Sequence, residues 1–177
     1  MSKSVKILVI SAMCVALATV TSMIKLFEFP TGGSITLLSM FFGALPGLLF
    51  GPGVGLASGI AYGVLQFLLG PYVLTPVQVV LDYGAFAALG LVAGLFNKGK
   101  FGIQKGYVLG CAARWFFCFL SGWIFWGSYA WEGWNPAAYS AVYNIIYIGA
   151  ECVVTLIILY VPAMAKALTY AKKIAVE

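Results

Sequence analysis

Residues 126–144 read WGSYAWEGWNPAAYSAVYN, a polar and aromatic break between two runs too apolar for water. Three Trp, three Tyr, one Glu and two Asn share these nineteen positions. Gly, Ser, Asn and Pro mark it as a turn region, and the flanking runs then read as separate helices. Helix packing alone has no need of so much amphipathic aromatic surface at one place. The stretch suits a flat, cationic organic ligand held at a membrane face.

Working outward, the 177-residue chain is 63% hydrophobic and 8% charged, with a mean hydropathy of +1.02. A soluble domain carries about 25% charged residues. The class is therefore a polytopic membrane protein whose partner is the lipid bilayer, organised as a single domain over residues 1–177. The N-terminus, with Lys3 and Lys6 before an apolar run, has the outline of a signal peptide. The run continues to Phe27, so it reads as a retained first helix.

Six segments are long or apolar enough to be spans, since crossing the bilayer core takes about 20 helical residues. They run from Val5 to Phe27, Ser34 to Phe50, Gly53 to Leu69, Thr75 to Phe96, Gly106 to Gly127 and Pro136 to Pro162. Lys3 and Lys6 precede the first. Lys98, Lys100 and Lys105 separate the fourth and fifth, and Lys166, Lys172 and Lys173 follow the sixth. With six spans all eight lysines fall on one side, which the positive-inside rule assigns to the cytoplasm. The expectation is an all-α, six-helix protein of the plasma membrane with both termini inside.

Asp82, Arg114 and Glu151 remain inside the spans. Each costs about 2.5–3.5 kcal/mol at a helix centre, so each needs a reason. One is mutual neutralisation, with Arg114 paired to Asp82 or Glu151. The other is a ligand pocket in the outer half, with Asp82, Trp126, Tyr139 and Asn144 around it and Arg114 and Glu151 as its floor. Arg114, Cys118, Gly122 and Trp126 recur every four residues and share one drifting helix face. Asp82 supplies negative charge, Trp and Tyr faces attract cations, and Asn144 can pair with an amino-heterocycle edge. Trp131 and Trp134 fit either a lid or the aromatic belt found at membrane interfaces.

Other motifs say less. The chain has no His, which removes the commonest general base and metal ligand. Cys14, Cys111, Cys118 and Cys152 lie in apolar runs without CxxC spacing. The glycines of PGVGLASG (52–59) lack the Lys-Ser/Thr of a phosphate loop. No catalytic, cofactor or metal site and no nucleic-acid partner is expected. Ala12 and Ala16 form a small-xxx-small pair that permits close helix approach, either within the fold or to a partner.

PVQVVLDY (76–83), SGWIFWGSYAWEGWNPAAYSAVYN (121–144), FPTGGSITLLSM (29–40) and YGVLQFLLGPY (62–72) together carry a resemblance. The chain resembles the thiamine-specific substrate-binding component of energy-coupling factor transporters, the ThiT (YuaJ) family, from its first helix to its last. The resemblance implies capture of thiamine from outside. It also implies transport driven by a separate module of one transmembrane coupling protein and two ATPases, ATP being used only there. The family's acidic ligand residue and the following Tyr fall on Asp82 and Tyr83, and its stacking Trp on Trp126. Its pocket Tyr and Asn fall on Tyr139 and Asn144, its basic residue on Arg114, its close-approach Gly on Gly122, and further aromatics on Tyr62 and Tyr72. Ala12 and Ala16 match the motif that docks the coupling protein. Where the family commonly has a His one turn before Gly122, this chain has Cys118. A thiol neither stacks nor carries positive charge, so a thiamine precursor or relative stands as the alternative ligand. A stand-alone ion-coupled carrier is the alternative mode of transport.

Overall fold

The computed structural model describes residues 2–29, 33–99 and 101–176; Lys100 and the FPTGG residues 30–32 lie outside the described residues. The chain folds as α1 (Lys3–Ser22), a hairpin of β1 (Lys25–Glu28) and β2 (Ser34–Thr36), then α2 (Ser39–Phe50) and α3 (Pro52–Leu69). It continues as α4 (Pro76–Leu95), α5 (Gly102–Phe125), α6 (Pro136–Leu159) and α7 (Pro162–Val176). Pro opens α3, α4, α6 and α7, where its missing N–H breaks no helical bond. Thr75 and Asn135 cap α4 and α6, accepting from the Gln78 amide at 3.1 Å and the Ala137 amide at 2.8 Å.

Five of these helices, α1, α3, α4, α5 and α6, are long and apolar enough to cross a bilayer. Their outer faces leave side chains such as Leu8, Val80, Ile124 and Ile157 exposed, as lipid-facing surfaces do. The second expected span differs. Its first residues form β2, and α2 has 12 residues, about 18 Å at 1.5 Å per residue. Leu38, just before α2, sits in the left-handed region at φ 65°, so the chain turns sharply there rather than running on as helix.

The first span also ends earlier than expected, at Ser22 rather than Phe27. Residues 25–28 pair antiparallel with 34–36, with Phe27 opposite Ile35 and Glu28 opposite Ser34. The Phe29 amide donates to the Gly33 carbonyl at 2.8 Å. The all-α expectation thus acquires one small hairpin, because pairing of β1 with β2 satisfies the backbone groups of both. Beyond Leu159 the chain forms a further helix, α7. Its partly buried Met164 and Leu168, four apart, pack on the core, while Lys166, Lys172 and Lys173 stay exposed.

The helix α4 is central, packed against α2, α3 and α5. The glycines of the 52–59 run make this possible. A Cβ on Gly59 would lie 2.7 Å from the Ala87 Cα of α4, and one on Gly55 would overlap the Gly90 carbonyl of the same helix. These contacts are the close backbone approach that small residues permit in lipid. Phe41, Met40, Leu89 and Tyr107 fill the centre. The Tyr107 hydroxyl donates to Thr155 Oγ1 at 3.2 Å across α5 and α6. The hairpin and the α3–α4 and α5–α6 connections gather at one end of the bundle, and the cavity described next opens among them.

Candidate functional site

A cavity of about 470 Å³ lies at that end, within the range of small-molecule sites. α4 contributes Asp82 and Tyr83; α5 contributes Arg114, Cys118 and Gly122; α6 contributes Tyr139, Ser140, Tyr143, Asn144 and Tyr147. The connections add Gly33, Gly70, Tyr72, Trp126 and Tyr129. Nine of the ten residues expected to bind ligand therefore share one cavity. Tyr62 does not line it. It is fully buried on α3, set edge-on to Phe86 at 4.6 Å, with its hydroxyl donating to the Ala18 carbonyl of α1 at 3.3 Å.

Asp82 is the cavity's carboxylate. It accepts a hydrogen bond from Gln78 Nε2, one turn earlier on α4. Gln78 is itself held by the Leu74 amide, which donates to its Oε1 at 3.0 Å. The carboxylate is thus oriented from behind by Gln78, with the Ser121 hydroxyl of α5 beside it, and it lines the cavity. Tyr83 works on the neighbouring loop: its hydroxyl donates to the Gly70 carbonyl and accepts from the Tyr72 amide, both at 3.2 Å. That loop places Tyr72 4.7 Å from Trp126, ring to ring. Outside the membrane-spanning segments, hydrogen bonding to Tyr129 pushes the Tyr72 phenol up from its ordinary value.

Arg114 reaches the cavity over the face of Phe86, 4.1 Å from the ring centroid. It forms no ion pair with Asp82 or Glu151; among the described residues the ion pair found is Lys25–Glu28 at 2.6 Å. Its buried Nε has no hydrogen-bond partner. Direct ion pairing is therefore not how these charges are accommodated, although the charge of Glu151 still acts on Arg114. The ring face of Phe86 offsets part of the guanidinium's desolvation.

Glu151 is not a floor of the cavity. It is buried on α6 and accepts four hydrogen bonds: from the Thr36 amide (3.0 Å), Thr36 Oγ1 (2.7 Å), Ser39 Oγ (3.2 Å) and the Met40 amide (2.9 Å). Leu38 offers α2 no side-chain cap, so a carboxylate from another helix satisfies that N-terminus and meets its dipole.

Asn144 is more committed than expected. Its Nδ2 donates to the Ser140 carbonyl at 2.9 Å and the Cys118 carbonyl at 3.3 Å, and its Oδ1 accepts from Tyr147 at 2.7 Å. Ser140 Oγ donates to the Phe119 carbonyl at 2.8 Å. A Cβ at Gly122 would lie 3.1 Å from the Ser140 Cβ, so this glycine lets α5 and α6 close on the Ser140–Asn144 pair. Ser140, Tyr143 and Tyr147 were not among the expected ligand residues. The signal for them is spacing: 139, 140, 143, 144 and 147 lie on one face of a helix. Tyr143 also accepts from the Gly33 amide at 2.8 Å, a contact from the hairpin that no spacing reveals. Ala12 and Ala16 are exposed on α1, away from the cavity.

The profile of a family described as Thiamine transporter protein (Thia_YuaJ) matches residues 8–171. A curated protein of Bacillus subtilis, named thiamine transporter ThiT, is 30% identical over 170 residues, covering 88% of this chain and 86% of that protein. One of the same name from Lacticaseibacillus paracasei is 34% identical over 104 residues. That match covers 49% of this chain and spans about half, 52%, of the relative's length. A solved structure of ThiT from Listeria monocytogenes superposes with a TM-score of 0.76 at 27% identity, covering 98% of this chain and 99% of that one.

Proposed function

The chain belongs to the YuaJ family of thiamine transporters, and on that premise we propose that it captures extracellular thiamine in the cavity between α4, α5 and α6. It is a multi-pass plasma-membrane protein of a transporter family, not an enzyme. The observation that carries the reading is the cavity's chemistry. One carboxylate, Asp82, keeps open acceptor positions in a chamber walled by Tyr72, Trp126, Tyr139, Tyr143 and Tyr147. Thiamine is an aminopyrimidine joined to a thiazolium cation. The aromatic faces suit the cation, and the carboxylate suits both its charge and an amino-heterocycle edge. Arg114 is a donor for the ring acceptors, and Cys118 adds a small apolar surface where a larger ring would fill space.

Uptake in this reading is driven by a separate energising module, a transmembrane coupling protein with two ATPases, which docks on the exposed Ala12–Ala16 face of α1. The protein itself binds neither ATP nor another cofactor. The test is calorimetric or fluorescence titration of the detergent-purified protein with thiamine, in competition with hydroxymethylpyrimidine and thiamine phosphates. Tight saturable binding is expected; a nanomolar dissociation constant corresponds to about 12 kcal/mol. Absence of binding at micromolar thiamine would refute the reading, and preference for the pyrimidine alone would favour the precursor.

A further inference from the structure

The α5–α6 connection carries a second aromatic feature beyond the cavity wall. Trp131 and Trp134 keep 45% and 44% of their surface exposed, and neither lines the cavity. A tight turn joins them: the Trp134 amide donates to the Trp131 carbonyl at 2.8 Å, and Gly133 takes φ 79°. Positive φ at the third position is what glycine supplies to such a turn. The turn sets the two indoles edge to face with centroids 5.0 Å apart. Glu132 stands exposed at its corner. Two indoles and a carboxylate within four residues suit an organic cation.

This pair is continuous with the cavity. Trp131 meets Tyr139 at 5.1 Å, Tyr139 meets Tyr143 at 5.5 Å, and Tyr143 meets Tyr147 at 5.7 Å. The three tyrosines line the cavity and recur every four residues on α6. An interfacial belt spreads its aromatics around the perimeter of a bundle; here the rings run in single file from solvent to the cavity's interior.

We infer that Trp131, Glu132 and Trp134 form an outer encounter site for a flat organic cation, and that the aromatic file conducts the cation from it into the cavity. The inference rests on the reading of the cavity given above. Glu132 draws the cation in from a distance. Each ring-to-ring step then replaces lost hydration with a new π face, so no step leaves the cation bare. The outer site does not touch ligand seated in the cavity. It therefore lowers the barrier to passage in both directions and leaves the bound state unchanged.

The test is stopped-flow binding of thiamine to the full-length protein in detergent, with equilibrium Kd from calorimetry, for wild type, Glu132→Gln, Trp134→Leu and the double variant. Neither replaced side chain lines the cavity. In the double variant the association and dissociation rate constants are expected to fall together, by about fivefold, with Kd moving by less than about twofold. Glu132→Gln should also flatten the decrease of the association rate with salt. Unchanged rates would overturn the inference. So would a faster dissociation with a raised Kd, which marks a contact to bound ligand or a structural role. A fall in association alone would make Glu132 part of the cavity's own field and would overturn the relay as well. Lack of saturable thiamine binding by the wild type would remove the cavity reading together with this one, whereas normal binding with unaltered variant kinetics would remove this one alone.

Discussion

Asp82 and Glu151 are two carboxylates carried into the same apolar bundle, and their surroundings are opposite. Glu151 accepts four hydrogen bonds from Thr36, Ser39 and Met40 and has no cavity contact. Asp82 accepts one from Gln78, has the Ser121 hydroxyl of α5 beside it, and stands on the cavity wall. A saturated buried carboxylate works as a structural clamp, here joining the hairpin and α2 to α6. An undersaturated one retains capacity for something that arrives later. Sequence position alone does not separate the two roles, because each is a single acid in an apolar helix.

The largest expected effect strikes the clamp. Glu151→Ala leaves two buried amides and two hydroxyls without their acceptor, each unsatisfied donor costing about 1–3 kcal/mol. Stability should fall by about 4 kcal/mol or more, seen as a large loss of thermal midpoint in detergent; a near-normal midpoint would break the contrast. Asp82→Asn should do the reverse. It keeps the size, so the ligand-free midpoint should hold or rise, while thiamine binding weakens by about 2–3 kcal/mol, roughly 30- to 150-fold. Equal affinity would give Asp82 another task.

Gly122→Ala affects both sides of the comparison, because the new methyl presses on Ser140 and separates α5 from α6 beside the cavity. A loss of about 1–3 kcal/mol of stability is expected, together with weaker binding in the same titration. Tyr143→Phe removes one hydrogen bond, from the Gly33 amide. About 1 kcal/mol is expected, appearing as faster dissociation of ligand. The smallest effect belongs to a third carboxylate, Glu28, whose ion pair with Lys25 is exposed. Lys25→Met should change stability by no more than about 0.5 kcal/mol. A larger change would mean that this exposed pair helps to hold the hairpin.

Much of the site was legible in the chain because helical periodicity is local. Spacings of four bring Arg114, Cys118 and Gly122 to one face, Tyr139 and Asn144 lie five apart on one broad face of α6, and both faces line the cavity. Tyr62, which the family resemblance supplied and spacing did not, lies outside the cavity. An aromatic at the right depth on α3 looks alike whether it faces a cavity or Phe86, and only the packing of α3 on α4 decides. The hairpin also escaped the reading, since IKLFE continues the apolar run and its pairing partner, Ser34–Thr36, lies beyond it in the chain.

By itself the sequence determined that this is a polytopic membrane protein and that its polar aromatic surface belongs at one face. Composition and turn residues act through the solvent each segment requires, and that is a property of the segment alone. Only the tertiary structure decided which charge is free to act. The satisfaction of a carboxylate depends on donors 111 to 115 residues away, as Glu151 finds in Thr36 and Met40. The stretch 126–144 divides in the same way. Composition made it a place for flat ligands, and folding placed Trp126, Tyr139 and Asn144 on the cavity wall while leaving Trp131 and Trp134 at its approach.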